Sequence, residues 1–152
     1  DLAVIGENMQ PMIQAFRKQL PETLVAIELG RYMVAEAGIY VCRILERKES
    51  RGKIFLITDG GMHHHLAASG NLGQVIRKNF PVIIGNRVQD TEKEMASIVG
   101  PLCTPLDLLA EEMMLPKAVA GDLVVVLQSG AYGLSVSPTA FLNHPLPEEI
   151  LV

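Results

Sequence analysis

From Gly38 onward the chain changes texture in a way that leaves few folds open. Ile39-Tyr40-Val41-Cys42-Arg43-Ile44-Leu45-Glu46-Arg47 reads as a strand, and the charged Arg47-Lys48-Glu49-Ser50-Arg51-Gly52 reads as a hairpin turn. Ile54-Phe55-Leu56-Ile57-Thr58 returns as the partner strand, closed by Asp59-Gly60-Gly61. Further strands are predicted at Pro81–Ile84, Met95–Val99 and Leu123–Gln128, the last announced by the turn signal Gly121-Asp122. Residues 62–80 read as irregular. Ahead of Gly38 the spacing is helical: Met9, Met12, Ile13, Phe16 and Leu20 share a face, with Pro11 placed in the first turn and Pro21 ending the helix. Thr23-Leu24-Val25-Ala26-Ile27 then reads as a short buried strand, and Tyr32 to Ala37 as one or two helical turns. The predicted organisation is a helix–strand–helix piece over residues 1–37, like the last unit of an α/β domain, and a mostly antiparallel β domain over 38–152. A helix–strand–helix unit cannot bury its own faces, so its neighbours are expected outside this chain.

Composition bounds the function classes. The 152 residues suffice for one domain with a real core. A chain that is 49% hydrophobic and 20% charged, with mean hydropathy +0.27, is expected to cover some surface with another chain or domain. Its net charge of −4 gives no electrostatic footprint for nucleic acid. No apolar run reaches the roughly 18 residues that span a bilayer, and no signal peptide is visible. Cys42 and Cys103 lie far apart without CxxC spacing, which fits a reduced, cytoplasmic protein better than a disulfide scaffold. The chain opens at Asp1 and not at Met, so it reads as a piece of something longer.

Four motifs could carry chemistry, and each has a plainer alternative. Glu28-Leu29-Gly30-Arg31 sits where a strand is predicted to end and a helix to begin. Gly30 lets a ligand approach the backbone and Arg31 offers a donor fork for phosphate or carboxylate, yet a surface ion pair beside a turn glycine fits equally well. Gly100-Pro101-Leu102-Cys103-Thr104-Pro105-Leu106-Asp107 holds a thiol and a carboxylate between two prolines, in a loop stiffened by fixed φ. It is either an active-site edge or a loop with a small buried hydrophobe. Gly130-Ala131-Tyr132-Gly133 leaves the tyrosine room to project and hydrogen-bond an anion, or half-buries it at a sheet edge. Asp59-Gly60-Gly61-Met62-His63-His64-His65 invites a metal, but three adjacent histidines on a strand would point to alternating faces, and no i, i+4 partner follows. Loop histidines lining a cleft, or simply solvated, fit better, and no metal site is expected. No GxGxxG or GxxxxGK[ST] nucleotide loop is present.

Taken in order, Glu28–Arg31 with Val34-Ala35-Glu36-Ala37-Gly38, then Gly100–Asp107, then Gly130–Gly133 resemble the C-terminal part of the fold-type III pyridoxal-phosphate decarboxylases, the diaminopimelate, ornithine and arginine decarboxylase superfamily. Asp59-Gly60-Gly61-Met62, Gly121-Asp122-Leu123 and the closing Pro145-Leu146-Pro147-Glu148-Glu149-Ile150-Leu151-Val152 are similar too. The pairing of Leu102-Cys103-Thr104-Pro105-Leu106-Asp107 with the histidine run most resembles the bacterial subgroup associated with exosortase systems. The resemblance implies an alanine-racemase-like (β/α)8 barrel followed by a β barrel or sandwich, with residues 1–37 the barrel's last unit and 38–152 the C-terminal β domain. It implies a head-to-tail homodimer with shared active sites, a small amino-acid substrate, and pyridoxal 5′-phosphate. Glu28 would face the pyridine nitrogen, Gly30 and Arg31 would hold the cofactor phosphate with Tyr132 nearby, and Arg31 would also meet substrate. Cys103 would enter the partner's site near the carbon that is reprotonated, and Asp107 would contact substrate.

The departures from the family pattern are as informative. Leu29 replaces a proline, Thr104 stands where an acid often reads a distal amine, and Phe141-Leu142 replaces Tyr-Asn. The family's Schiff-base lysine, ring-stacking histidine and glycine-rich phosphate loop belong to earlier barrel strands, and Lys18, Lys48, Lys53, Lys78, Lys93 and Lys117 do not match the lysine's motif. The chain alone is therefore expected to be inactive. The rival expectations are an alanine-racemase-like enzyme, a decarboxylase of a carrier-linked amino acid, and a non-catalytic regulatory homologue.

Overall fold

The alternation after Gly38 forms real ladders in the computed structural model, which describes residues 1–152. Strand β1 (Tyr40–Ser50) turns through Arg51 and Gly52, both at positive φ (53° and 75°), and returns as β2 (Lys53–Thr58). Two positive-φ residues suit the right-handed twist of a tight hairpin, so the turn is shorter than the charged run predicts. β3 (Val82–Ile84), β4 (Lys93–Val99), β5 (Leu108–Pro116) and β6 (Leu123–Val126) complete a six-stranded sheet in the order β3-β6-β1-β2-β4-β5. Every pair is antiparallel except β2 with β4, which run parallel.

The sheet curls until its two edges, β3 and β5, meet, giving a nearly closed barrel. Just before β3, the Asn79 side chain bridges the seam. Its amide nitrogen donates to the Glu111 carbonyl at 2.7 Å and its oxygen accepts from the Glu111 amide at 2.9 Å, so one side chain imitates a strand pair. Inside, Cys42, Ile44, Leu56, Ile84, Ile98, Leu109, Leu115, Val124 and Val126 form the core. β1 carries a bulge between Ile44 and Glu46 that turns Leu45 outward. Asp59 anchors it, taking the Arg43 amide on its carboxylate at 2.8 Å and giving its own amide to the Arg43 carbonyl at 3.0 Å.

The chain divides into two units, Asp1–Gly30 and Arg31–Val152. In the first, α1 (Leu2–Gln19) begins seven residues before the apolar stripe that predicts it, because Asp1 caps it by accepting the Ala3 amide at 2.8 Å. Pro11 therefore lies in the helix interior and not in its first turn. No α1 side chain is buried. Thr23–Ile27 does not form the expected strand: the six ladder strands all lie after Gly38, so none pairs with it. Two 3-10 turns, Gly30–Met33 and Ala35–Ala37, form where helical turns are predicted. β5 is the one strand that the sequence does not announce, and the last strand stops at Val126. No helix is long and apolar enough to cross a membrane.

Candidate active site

Arg31 is the centre of the best-formed polar site. Its guanidinium carbon lies 5.4 Å from the ring centre of Phe80 and 5.4 Å from that of Tyr132. Its Nη1 is buried with no hydrogen-bond partner. Two aromatic faces offset part of the cost of burying this cation, but an unpaired N–H donor still costs roughly 1–3 kcal/mol. The arrangement calls for an acceptor, and an anion satisfies both the charge and the donor fork. A cavity of about 540 Å³ adjoins it, lined by Arg31, Lys78, Asn79, Phe80 and Gln128 among others. Lys78 adds a second positive charge to that wall.

The turn after β6 brings Tyr132 to this place. Gln128 and Tyr132 hold φ of 56° and 54°, a left-handed conformation that side chains rarely adopt, and they bracket the turn. Ser129 donates its amide to the Gly38 carbonyl and Gly130 to the Ala35 carbonyl, each at 2.9 Å. A Cβ on Gly130 would overlap the Val34 carbonyl oxygen and the Gly38 nitrogen. Gly130→Ala is expected to cost about 2–4 kcal/mol, read as a drop in urea midpoint, whereas Gly52→Ala, with open space at its Cβ position, isolates the smaller cost of positive φ.

The histidine run decides between the two expectations. His63 and His65 are buried, at 0% and 1% exposure, so neither is solvated, while His64 and His65 line a cleft of about 270 Å³ with Tyr40 and Ser129. The run forms a turn and not a strand, so each ring finds its own neighbours. His64 Nε2 lies 2.8 Å from the Pro145 carbonyl, which can only accept. A neutral His64 therefore carries its proton on Nε2 and takes the Tyr40 hydroxyl, 3.1 Å away, on Nδ1. His63 lies against His64 and His144 with its ring tilted to both, ring centres 3.9 and 5.1 Å away, and neither of its nitrogens has a partner. Burial, then the neighbouring His64 and His144, pushes its pKa down to about 4. His65 is likewise pushed down to about 4, by burial and then by the Arg31 charge.

The Gly100–Asp107 loop separates its two functional groups. Cys103 is exposed, so it is not the small buried hydrophobe of the plainer alternative; Cys42 is, with burial pushing its thiol up to about 12. Asp107, expected at the substrate, is instead 3% exposed and engaged within the protein. Its carboxylate accepts the Met62 amide at 2.6 Å and the Leu102 amide at 2.8 Å. Gly61 and Gly100 lie against it so tightly that a Cβ on either would overlap its oxygens. Asp107 thus ties the cysteine loop to the Gly60-Gly61-Met62 loop. Thr104 also turns inward on the loop, its hydroxyl accepting the Leu106 amide at 3.3 Å.

Glu28 and Gly30 belong to the first unit, where Glu28 is exposed and Gly30 has φ of 56°. Arg31 and Tyr132 are the predicted residues that the structure brings together. Phe80, Lys78, Ser129 and His65 join them without having been singled out individually. The only sequence signal for Phe80 is its place just before Pro81 at a strand start; the others act through tertiary contact.

Comparison with known proteins places this geometry in a family. Residues 31–130 match the family model described as the pyridoxal-dependent decarboxylase C-terminal sheet domain. The L-glutamyl-[BtrI acyl-carrier protein] decarboxylase of Niallia circulans is 46% identical over 99% of this chain and 36% of its own length. The diaminopimelate decarboxylase of Campylobacter jejuni is 32% identical over 74% of this chain and 26% of its own length. Among solved structures, diaminopimelate decarboxylase from M. jannaschii in complex with L-lysine aligns with a TM-score of 0.65 at 26% identity, covering 75% of this chain and 25% of that one. The chain spans between about a quarter and about a third of the length of these curated relatives. It belongs to the C-terminal sheet domain family of the pyridoxal-dependent decarboxylases.

Proposed function

We propose that this chain is the C-terminal part of a pyridoxal-phosphate-dependent amino-acid decarboxylase, with residues 1–37 the end of a cofactor-binding barrel and 38–152 the β domain. The observation that carries it is Arg31 Nη1, a buried donor without an acceptor between two aromatic rings, in a chain of this family. That site fits the anionic groups of the cofactor and substrate. Bound pyridoxal phosphate would supply an electron sink for the carbon that loses CO2. Glu28 is the carboxylate that would keep a proton on the pyridine nitrogen. Gly30 and Arg31 would bind phosphate, Arg31 would also meet the substrate carboxylate, and Tyr132 would add a hydroxyl donor. Cys103, on its exposed loop, would deliver a proton to the substrate α-carbon in the partner subunit of a homodimer. Asp107 holds that loop and does not itself read substrate. Without the barrel residues, this chain alone would not turn over.

The substrate class follows from the same loop. Asp107 is its only acid and is spent on backbone amides, and Thr104 is neutral. Nothing on the loop would pair a distal ammonium, which favours an amino acid whose far end is uncharged or masked, as in the carrier-linked substrate named for the N. circulans relative. The test is release of labelled CO2 by the full-length protein. A carrier-linked L-glutamyl group should exceed meso-diaminopimelate by at least ~100-fold in kcat/KM, since leaving an ammonium unpaired in a site costs several kcal/mol. Preference for diaminopimelate would sink the substrate class; absence of CO2 from the whole panel would sink the enzyme reading.

A further inference from the structure

The buried His65 is unexplained by that reading, and its surroundings are unusually complete. Its Nδ1 accepts the Ala68 amide at 3.2 Å, so the neutral ring carries its proton on Nε2. That proton points to Ser129 Oγ at 2.9 Å, and the Ser129 hydroxyl in turn donates to the Val126 carbonyl at 2.8 Å. The Leu127 carbonyl, at 3.5 Å, is a second and more distant acceptor for that hydroxyl. The ring also stands edge-on to Phe80, centroids 5.4 Å apart and planes at 81°, and to Tyr40 at 5.7 Å. Phe80 is one aromatic wall of Arg31, and Ser129 begins the turn that carries Tyr132, the other wall.

We infer that His65 is a positioning residue for the Arg31 anion site, holding both aromatic walls through one ring: Phe80 by its edge and the Ser129–Tyr132 turn by its Nε2–H. The inference rests on the reading of Arg31 as an anion clamp. An apolar residue at 65 could preserve the packing but would leave the Ala68 amide and the Ser129 hydroxyl without their partner. A glutamine can still donate to Ser129 from its side-chain amide. The ring next to the half-buried Arg31 also needs to stay neutral, and burial followed by the Arg31 charge favours that state.

The experiment measures equilibrium binding of pyridoxal 5′-phosphate and of pyridoxal, which lacks the phosphate, to the full-length protein freed of cofactor, well below each variant's melting temperature. The readout is the ratio of the two dissociation constants, which loss of general stability leaves unchanged. Arg31→Gln should cut that ratio by at least ~100-fold, the scale of a charge-assisted, bidentate contact. His65→Phe should cut it by about 10-fold, and His65→Gln should recover it to within about 3-fold. Ser129→Ala should reproduce most of the His65→Phe loss, and it decides the matter if His65→Phe does not fold. If Arg31→Gln lowers the ratio while the His65 and Ser129 variants leave it intact, or weaken both ligands equally, the positioning role is overturned and the clamp stands. If Arg31→Gln leaves the ratio unchanged, the clamp itself fails, and the inference with it.

Discussion

Lowering the pH from 7 to 4 is expected to remove several kcal/mol from the stability of this fold, and His63 and His65 are the reason. Both are buried and ionise at about 4 when folded, against 6.5 for a free imidazole. Burial is the main cause in each case; His64 and His144 add to it for His63, and Arg31 for His65. Between pH 6.5 and 4 the unfolded chain therefore binds protons that the folded chain refuses. Stability must fall as pH falls through that window, and these two groups add nothing further below it. Each contributes as much as about 3 kcal/mol, a large share of the roughly 5–15 kcal/mol typical of a domain. Asp122, held below the usual carboxylate range by Arg87, Val119 and Asn86 against the cost of its burial, extends the loss to lower pH. Urea unfolding followed by circular dichroism at pH 7, 5.5 and 4.5 measures the slope. His63→Leu removes an imidazole whose nitrogens have no partner, so it should flatten about half of the slope. A pH-independent unfolding free energy across the window would show that these rings are not held neutral.

Cys103→Ala in the full-length protein should lower kcat by about 10²–10³-fold, the usual scale for losing a positioned acid, while the dissociation constant for pyridoxal phosphate stays within ~3-fold. Its exposure on a loop fixed by Asp107 makes the trans role testable by mixing. If one protomer supplies Arg31 and its partner supplies Cys103, a dimer of one Cys103→Ala and one Arg31→Gln subunit has one intact site. Random reassociation should then restore about a quarter of wild-type activity. No recovery in verified heterodimers would place both residues in the same subunit's site. Iodoacetamide supplies a cofactor-free check on accessibility: in the isolated chain it should label Cys103 well before Cys42, which is buried with its thiol pushed up to about 12.

Five of the six strands are legible in the sequence because β-branched runs end at Gly, Pro or Asp turns. β5 is not, for a physical reason. Leu108-Leu109-Ala110-Glu111-Glu112-Met113-Met114-Leu115 is made of good helix formers, and tertiary partners, its neighbour β4 together with Asn79 and Arg77, hold it in the sheet. Thr23–Ile27 shows the converse: strand-like residues stay unpaired because the ladder partners that would fix them are not among β1–β6. Arg31 and Tyr132, which the structure brings together, are readable from the motifs that contain them. Asp107 is readable as a residue but not in its role, because burial against Gly61 and Gly100 converts a candidate substrate contact into a loop anchor. His65 is readable as one of a run of three histidines but not in its role, and Phe80 only as the residue before Pro81, since their importance comes from ring edges that meet only after folding.

The parallel pairing of β2 with β4 has a kinetic consequence. A parallel ladder cannot be joined by a tight turn, so its register waits for the long crossover from Asp59 to Glu92 to close. That crossover contains His63, His65, Phe80, the seam residue Asn79 and β3. The closure that forms this ladder is therefore also a step that assembles the aromatic and imidazole side of the Arg31 site. Competence to bind an anion should arrive only after these non-local closures, and not earlier with the β1–β2 hairpin.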